Sequence, residues 1–378
     1  MTNDPRHRFV ENRFRTRRLE PEWRDAPGDV AAFHRSLPGY APTPLAKMPA
    51  LAAELGVGEI WVKDESRRFG LNAFKVLGAA YAIQRFVREH PALGPTCFAT
   101  ATDGNHGRAV AWAARRLGHR AVIFVPRNTV AARIEAIRAE GAEVVVVDGT
   151  YDDTVLRAAS DAASSGWQVI SDTAYPGYVE IPRWIVEGYG TLFHETAQQL
   201  DAQGAGPPDV VLLQAGVGGL ACAGALFYAR RNATPPALIA VEPTDADCLL
   251  ESAASPDGSI RIAKGRQDSI MAGLNCGTPS LLAWPIVRAW FDAFLAVDDA
   301  YAEQAMRRLA AGTDGDPAIV SGESGAAGLA GLLALCREPA LRDAARRCGL
   351  GPSARILLIS TEGDTDPASY RRIVDGAS

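Results

Sequence analysis

No run of apolar residues reaches the roughly 18 that a membrane span requires, so no transmembrane segment is expected. Positive charge is not in excess either. Lysine and arginine number 39 against 44 acidic residues, a formal net charge of -5, which gives no whole-chain attraction to nucleic acid or to an anionic membrane. Neither is expected as a partner. The cysteines (Cys97, Cys222, Cys248, Cys276, Cys336, Cys348) never fall into C-x-x-C spacing, which argues against a zinc site and against a disulfide-stapled scaffold. No metal is expected, and the thiols read as reduced structural residues; a redox tie between Cys248 and Cys276, which flank a polar loop at 252–265, is left open. Arg6, Arg8, Arg13, Arg15, Arg17 and Arg18 crowd the start of the chain, but no apolar stretch follows and Asp4, Glu11 and Glu20 interrupt the charge. This reads as an arm rather than a signal peptide, and the expected compartment is the cytoplasm. Internal repeats and long low-complexity tracts are also missing.

What is present is an ordinary globular composition. With 378 residues, 47% hydrophobic and 22% charged, the chain is long enough for two domains with their own cores. Short β-branched or apolar runs at 121–125, 143–147, 210–213, 238–241 and 355–359 read as buried strands. Alanine-rich amphipathic segments at 75–89, 107–117, 129–140, 152–165, 219–231, 300–311 and 325–336 read as helices. Alternation of this kind predicts an α/β fold with mostly parallel sheets covered on both faces.

Three polar or glycine-rich segments interrupt this pattern. The first, V-K-D-E-S-R-R-F-G-L-N-A-F-K-V-L-G over 62–78, places Lys75 at the start of an apolar helix after an irregular loop. Such a lysine is ordinarily a solvated helix residue. An apolar pocket and a helix N-terminus would both disfavour its ammonium, however, leaving a neutral amine able to form an imine. The second, Thr102-Asp103-Gly104-Asn105-His106-Gly107, is a turn running into a helix: a plain N-cap, or a cradle whose N–H groups hold a substrate carboxylate. The third, Gly216-Val217-Gly218-Gly219, lies between a strand and a helix, the arrangement that binds phosphate. Gly216-x-Gly218-x-x-Ala221 also fits a dinucleotide fingerprint, with Glu242 near the place of a ribose-binding acid, so an NAD-dependent dehydrogenase is the competing reading.

Taken in chain order, the three segments resemble the lysine motif, the asparagine loop and the tetraglycine phosphate cup of fold-type-II pyridoxal-phosphate enzymes, the tryptophan-synthase-β and threonine-dehydratase type. Thr43-Pro44-Leu45 resembles that family's early T-P-L element. Within it, A-T-D-G-N-H-G-R at 101–108, S-D-T-A-Y at 171–175, E-I-P at 180–182, I-M-A-G-L-N-C-G at 270–277, S-G-E-S-G at 321–325 and S-T-E-G-D-T-D at 360–366 are most similar to the diaminopropionate ammonia-lyases. Ala73 stands where general dehydratases have serine, Val217 stands for a loop glycine, and the chain is a little short between Lys75 and Asp103.

The resemblance implies two three-layer α/β/α domains, 1–80 with 188–378 as the larger and 81–187 as the smaller, with pyridoxal 5'-phosphate in the cleft between them. It implies that Lys75 holds the cofactor as a Schiff base, that Phe74 lies against the ring, that Asn105 meets the ring oxygen, that residues 216 to 219 (Gly216, Val217, Gly218, Gly219) hold the phosphate, and that Thr361 faces the pyridine nitrogen. Thr102, Asp103, Gly104 and Asn105 would receive the substrate carboxylate. The implied reaction is β-elimination of 2,3-diaminopropionate to pyruvate and two ammonia, with Lys75 as base for the L-isomer, Asp103 for the D-isomer, and Asp172 at the β-ammonium. A homodimer and a small amino-acid substrate are the implied partners. A serine or threonine dehydratase, or another β-eliminating or β-replacing enzyme on the same cofactor, is the alternative. The role of Glu323 is left open.

Overall fold

A computed structural model describes residues 6–24, 28, 30–102, 104–231, 234–313 and 315–376. Among them, eleven strands are formed: β1 His7–Glu11, β2 Leu45–Lys47, β3 Glu59–Asp64, β4 Cys97–Ala101, β5 Arg120–Pro126, β6 Glu143–Val147, β7 Gln168–Val169, β8 Val210–Gln214, β9 Ala237–Pro243, β10 Ala293–Val297 and β11 Arg355–Ser360. They make two sheets, one of seven strands in the order β1-β10-β9-β8-β11-β3-β2 and one of four in the order β6-β5-β4-β7. Every pairing is parallel except at the two edges of the larger sheet, where β1 runs antiparallel to β10 and β2 to β3.

Alternation along the strands shows that both faces of the larger sheet are covered. In β8, Val211 and Leu213 point into one apolar cluster while Val210 and Leu212 point into another, and β9, β10 and β11 divide in the same way. Each fully buried Val, Leu or Ile contributes ~1.5–3 kcal/mol, which is why these strands read as continuous hydrophobic runs. The smaller sheet behaves alike: Phe98, Ile123 and Val125 join the core shared with the larger sheet, whereas Ala99, Val122 and Phe124 pack beneath Ala158 and Ala162 of the helix Tyr151–Ser165.

The helices joining the two sheets set the site. The helix Val76–Glu89 packs along Glu180–Ala202, a helix of 23 residues for which the sequence reading predicted none. The two backbones meet through glycine. A Cβ added to Gly188 would stand 2.4 Å from the Leu77 carbonyl oxygen, and one added to Gly78 would stand 2.6 Å from both Ile185 Cγ2 and Tyr189 Cε1. This contact places Tyr189, one residue after Gly188, beside the segment that carries Lys75.

A buried charge cluster ties the preceding loop to the same helix. Arg68 donates to both oxygens of Glu195 at 2.7 Å and to both oxygens of Glu65 at 2.7 and 2.8 Å, while Lys63 Nζ donates to Glu195 at 2.9 Å. Two cations and two carboxylates balance.

Gly188→Ala is expected to destabilise the protein by more than the ~1–3 kcal/mol usual for overpacking, because the obstacle is backbone rather than a movable side chain. Calorimetry of the variant checks this; an unchanged melting temperature would show that the helices have room to separate.

Candidate active site

Lys75, Thr361, the glycine loop, the asparagine loop and Asp172 all lie at or just beyond the carboxyl ends of parallel strands or beside them, where open α/β sheets place their ligands. The glycine loop follows β8, Thr361 follows β11, Thr102 to Asn105 follow β4, and Asp172 comes shortly after β7.

Lys75 immediately precedes its helix, and its Nζ lies 2.6 Å from Asp172 Oδ2. The two side chains are mostly buried, at 23% and 20% exposure. Burial works against both charges, but the pair outweighs it: Asp172, with a smaller contribution from Tyr189, holds the Lys75 ammonium above the ordinary lysine value. Lys75 and then His106 hold the Asp172 carboxyl below the carboxylate range. The expected neutral amine is therefore corrected. Helix N-terminus and apolar surroundings are present, yet a carboxylate in direct contact favours the ammonium more strongly than they oppose it.

Phe74 supplies one wall. Its ring lies 4.7 Å from that of Tyr189, and Lys75 Nζ stands 5.6 Å from the Phe74 ring centre. The Tyr189 hydroxyl is buried with no hydrogen-bond partner of normal geometry. Burial pushes its ionisation up, and the nearby Lys75 charge pulls the other way.

The glycine loop reaches the same tyrosine. Gly218 has φ +96°, a conformation that suits glycine, and a Cβ on Gly219 would meet only Tyr189 Cε2, at 3.7 Å. A Cβ on Gly216 would stand 2.7 Å from Cys276 Sγ, so that position is closed. Among the described residues the N–H groups of Gly216, Val217 and Gly218 donate to no protein acceptor. Unused donors leading into the helix Gly219–Arg231 could hold an anion.

On the opposite side, Thr102 Oγ1 accepts from Gly104 N at 3.0 Å and from Gly107 N at 3.3 Å, closing the turn. His106 Nε2 contacts the Ile170 carbonyl oxygen at 2.8 Å, which ties the loop to the end of β7, and burial keeps this imidazole below the ordinary histidine value. Asn105 Nδ2 donates to Glu362 Oε2. Thr361 Oγ1 accepts from Gln214 Nε2 at 3.0 Å. Asp103 lies outside the described residues.

Other residues are now placed. Glu242 accepts from Leu249 N at 2.8 Å and Leu250 N at 2.9 Å, so the acid that suited a ribose is a buried helix cap, and the dinucleotide reading loses its support. Glu323 is buried, with one carboxyl oxygen lacking a partner. Cys248 and Cys276 are free thiols on either side of Gly216. Tyr189 and Glu362 were missed by the sequence reading. Glu362 lies inside the quoted S-T-E-G-D-T-D segment, but only its hydrogen bonds single it out.

A family model described as "Pyridoxal-phosphate dependent enzyme" matches residues 37–353. The chain belongs to the pyridoxal-phosphate dependent enzyme family. Its similarity to one member is extensive: the diaminopropionate ammonia-lyase of Escherichia coli (strain K12) is 43% identical over 384 residues, covering 97% of this chain and 96% of that protein. The counterpart from Salmonella typhimurium is 43% identical over 367 residues, covering 92% and 91%. The solved holo form of the E. coli lyase superposes with a TM-score of 0.92 at 41% identity, covering 98% of this chain and 97% of that one. The E. coli lyase has also been solved with D-serine and with an aminoacrylate-PLP azomethine reaction intermediate.

The residues present fit the family's cofactor. A lysine amine beside an aromatic wall would meet its aldehyde, the buried Tyr189 hydroxyl stands near that lysine, and the unused N–H groups of the glycine loop suit its phosphate.

Two glycine substitutions separate shape from binding. Gly218→Ala strains a positive φ and is expected to cost about 1 kcal/mol or more in stability. A Cβ on Gly219 comes no nearer than 3.7 Å to a protein atom, so Gly219→Val should fold with near-normal stability yet lose cofactor on dialysis, because its side chain would enter the space beside the glycine loop. Equal cofactor retention by Gly219→Val and the unmodified protein would return the loop to a structural role.

Proposed function

We propose that this enzyme converts 2,3-diaminopropionate and water to pyruvate and two ammonia by β-elimination, acting on the L-isomer and also on the D-isomer. The observation that carries this reading is the Lys75–Asp172 contact. The Asp172 carboxylate already holds one ammonium, that of Lys75, at 2.6 Å, so it is a place suited to a cation. A cationic β-ammonium on the substrate would replace that charge; the neutral hydroxyl of serine or threonine would not. The similarity to the ammonia-lyases over nearly the whole chain supports the same choice.

Lys75 and the cradle of Gly216, Val217, Gly218 and Gly219 would hold the cofactor, with Phe74 against the ring, Asn105 at the ring oxygen and Thr361 at the pyridine nitrogen. When bound, pyridoxal 5'-phosphate supplies the electron sink that makes the Cα proton removable. Everything else falls to the chain. Asp172 keeps the proton on the leaving nitrogen, since an amine departs poorly unless protonated. Once the substrate's ammonium has taken over Asp172, the Lys75 amine is no longer held as an ammonium and would remove the Cα proton of the L-isomer, while Asp103 would remove that of the D-isomer. Thr102, Gly104 and Asn105 open the helix Asn105–Arg116 toward the substrate carboxylate. Thr361 offers the pyridine nitrogen a neutral hydroxyl, which does not hold a proton there as a carboxylate would, and so favours elimination over transamination. The reacting groups come from two domains, which we place at 1–80 with 188–378 and at 81–187. On the family resemblance we also read the protein as a cytoplasmic homodimer.

Asp172→Asn keeps the shape and removes the charge. Turnover of 2,3-diaminopropionate should fall by ~10²–10³-fold, the usual loss for one electrostatic contact to a reacting group, while β-elimination from β-chloroalanine should fall far less. Equal losses on both substrates, measured as pyruvate release, would count against the ammonium-binding role and favour a general dehydratase.

Asp103→Asn should lower D-isomer turnover by the ~10²–10⁴-fold typical of a lost general base, with a smaller effect on the L-isomer. Parallel losses would make Asp103 an electrostatic element shared by both reactions.

A further inference from the structure

Glu362 contacts three separate segments of the site through different atoms. It follows Thr361 at the end of β11 and is 3% exposed. Its backbone bridges to Ala73 in the lysine segment, and its carbonyl oxygen accepts from Gly322 N at 3.0 Å. Its side chain divides its acceptors: Oε1 takes the Ser324 N–H at 3.1 Å, and Oε2 takes the Asn105 side-chain amide from across the cleft.

A primary amide is nearly symmetric in shape but not in chemistry. Half a turn about its last bond exchanges a two-hydrogen donor for an acceptor, and packing alone hardly distinguishes the two. A carboxylate beside it does. An ionised carboxylate only accepts, so it holds the NH₂ end toward itself; the flipped amide would set two acceptor oxygens against each other with no proton between them, in a half-buried place where that is costly. The NH₂ group also carries a second hydrogen, directed away from the first. With one N–H spent on Glu362, the other remains available from the same nitrogen.

We propose that Glu362 is a positioning residue that fixes the orientation of the Asn105 amide, so that Asn105 meets the cofactor ring as a donor and not as an acceptor. This rests on the reading above that Asn105 faces the ring oxygen. Both carboxylate oxygens are in use, which makes the residue type specific: glutamine has one acceptor oxygen, so it can serve Ser324 or Asn105 but not both.

The test is a double-mutant cycle on the cofactor-loaded enzyme with Glu362→Gln, Asn105→Ala and the two combined, read by the visible absorbance maximum of bound cofactor and by its dissociation constant. Glu362→Gln should shift the absorbance and weaken cofactor retention by roughly tenfold, the size of one hydrogen bond involving a charged group. Asn105→Ala should do at least as much, and the double variant no more than Asn105→Ala alone. If the two effects instead multiply, or if Glu362→Gln leaves absorbance and retention unchanged while Asn105→Ala alters them, Glu362 does not act through Asn105 and the proposal is wrong. If Asn105→Ala itself changes neither, the placement of Asn105 at the ring fails and takes this proposal with it. Glu362→Asp keeps the charge but withdraws it by one carbon, and it replaces the glutamine variant in the same cycle should that protein not fold.

Discussion

Arg68 is 1% exposed, and a guanidinium taken so far out of water is tolerated only where its donors are almost all matched. Here two carboxylates grip it from different parts of the chain, Glu65 from its own loop and Glu195 from the long helix Glu180–Ala202. Lys63 adds a second cation to Glu195 and donates to the Thr43 carbonyl oxygen and to Gln199. The arrangement is demanding in geometry, so it leaves the loop before Lys75 little freedom. That loop passes through positive φ at Phe69 and Asn72, and is then fastened to the end of β11 by bonds from Phe74 N to the Thr361 carbonyl oxygen and from Gly363 N to the Asn72 carbonyl oxygen. The position of Lys75 is thus a consequence of buried charge on one side and a backbone clasp on the other.

The close packing of Val76–Glu89 on Glu180–Ala202 serves the same end. Small residues at Gly78 and Gly188 let the helices approach until Tyr189 stands against Phe74, and Tyr189 also borders Gly219. One aromatic ring therefore relates the lysine end of the site to the glycine loop. The His34 imidazole, buried and bonded to both Thr191 Oγ1 and the Leu77 carbonyl oxygen, reinforces this seam.

Electrostatically the site is organised around exchangeable partners. Lys75 and Asp172 neutralise each other, and each lets the other stay charged despite burial. Such a pair can give up one member to a ligand of the same charge without stranding the remaining carboxylate, whereas an isolated buried carboxylate would have drawn up its own proton.

Much of this was legible in the chain itself. The runs that became β5, β8, β9 and β11 are continuous and apolar because strands buried on both faces have no polar side to show, whereas β6 is a valine run at the edge of the smaller sheet with Val146 exposed; the helix Gly219–Arg231 runs over the very residues its pattern predicted. Glycine punctuation drew attention to the segments around Lys75, Asn105 and the 216–219 loop, since only particular residue types suit a positive φ or a close backbone approach, whereas Thr361 was named only through the family resemblance. The strands β1, β2, β3, β4, β7 and β10 and the longest helix were not read. In Glu180–Ala202 the periodicity is blurred by burial on most sides, and Glu195 is a core residue because Arg68 and Lys63 await it. The charge on Lys75, the cap made by Glu242 and the reach of Glu362 to Asn105 were decided by tertiary structure alone. Each depends on a group brought from far along the chain or on the direction in which a side chain is turned, and neither property is carried by local sequence.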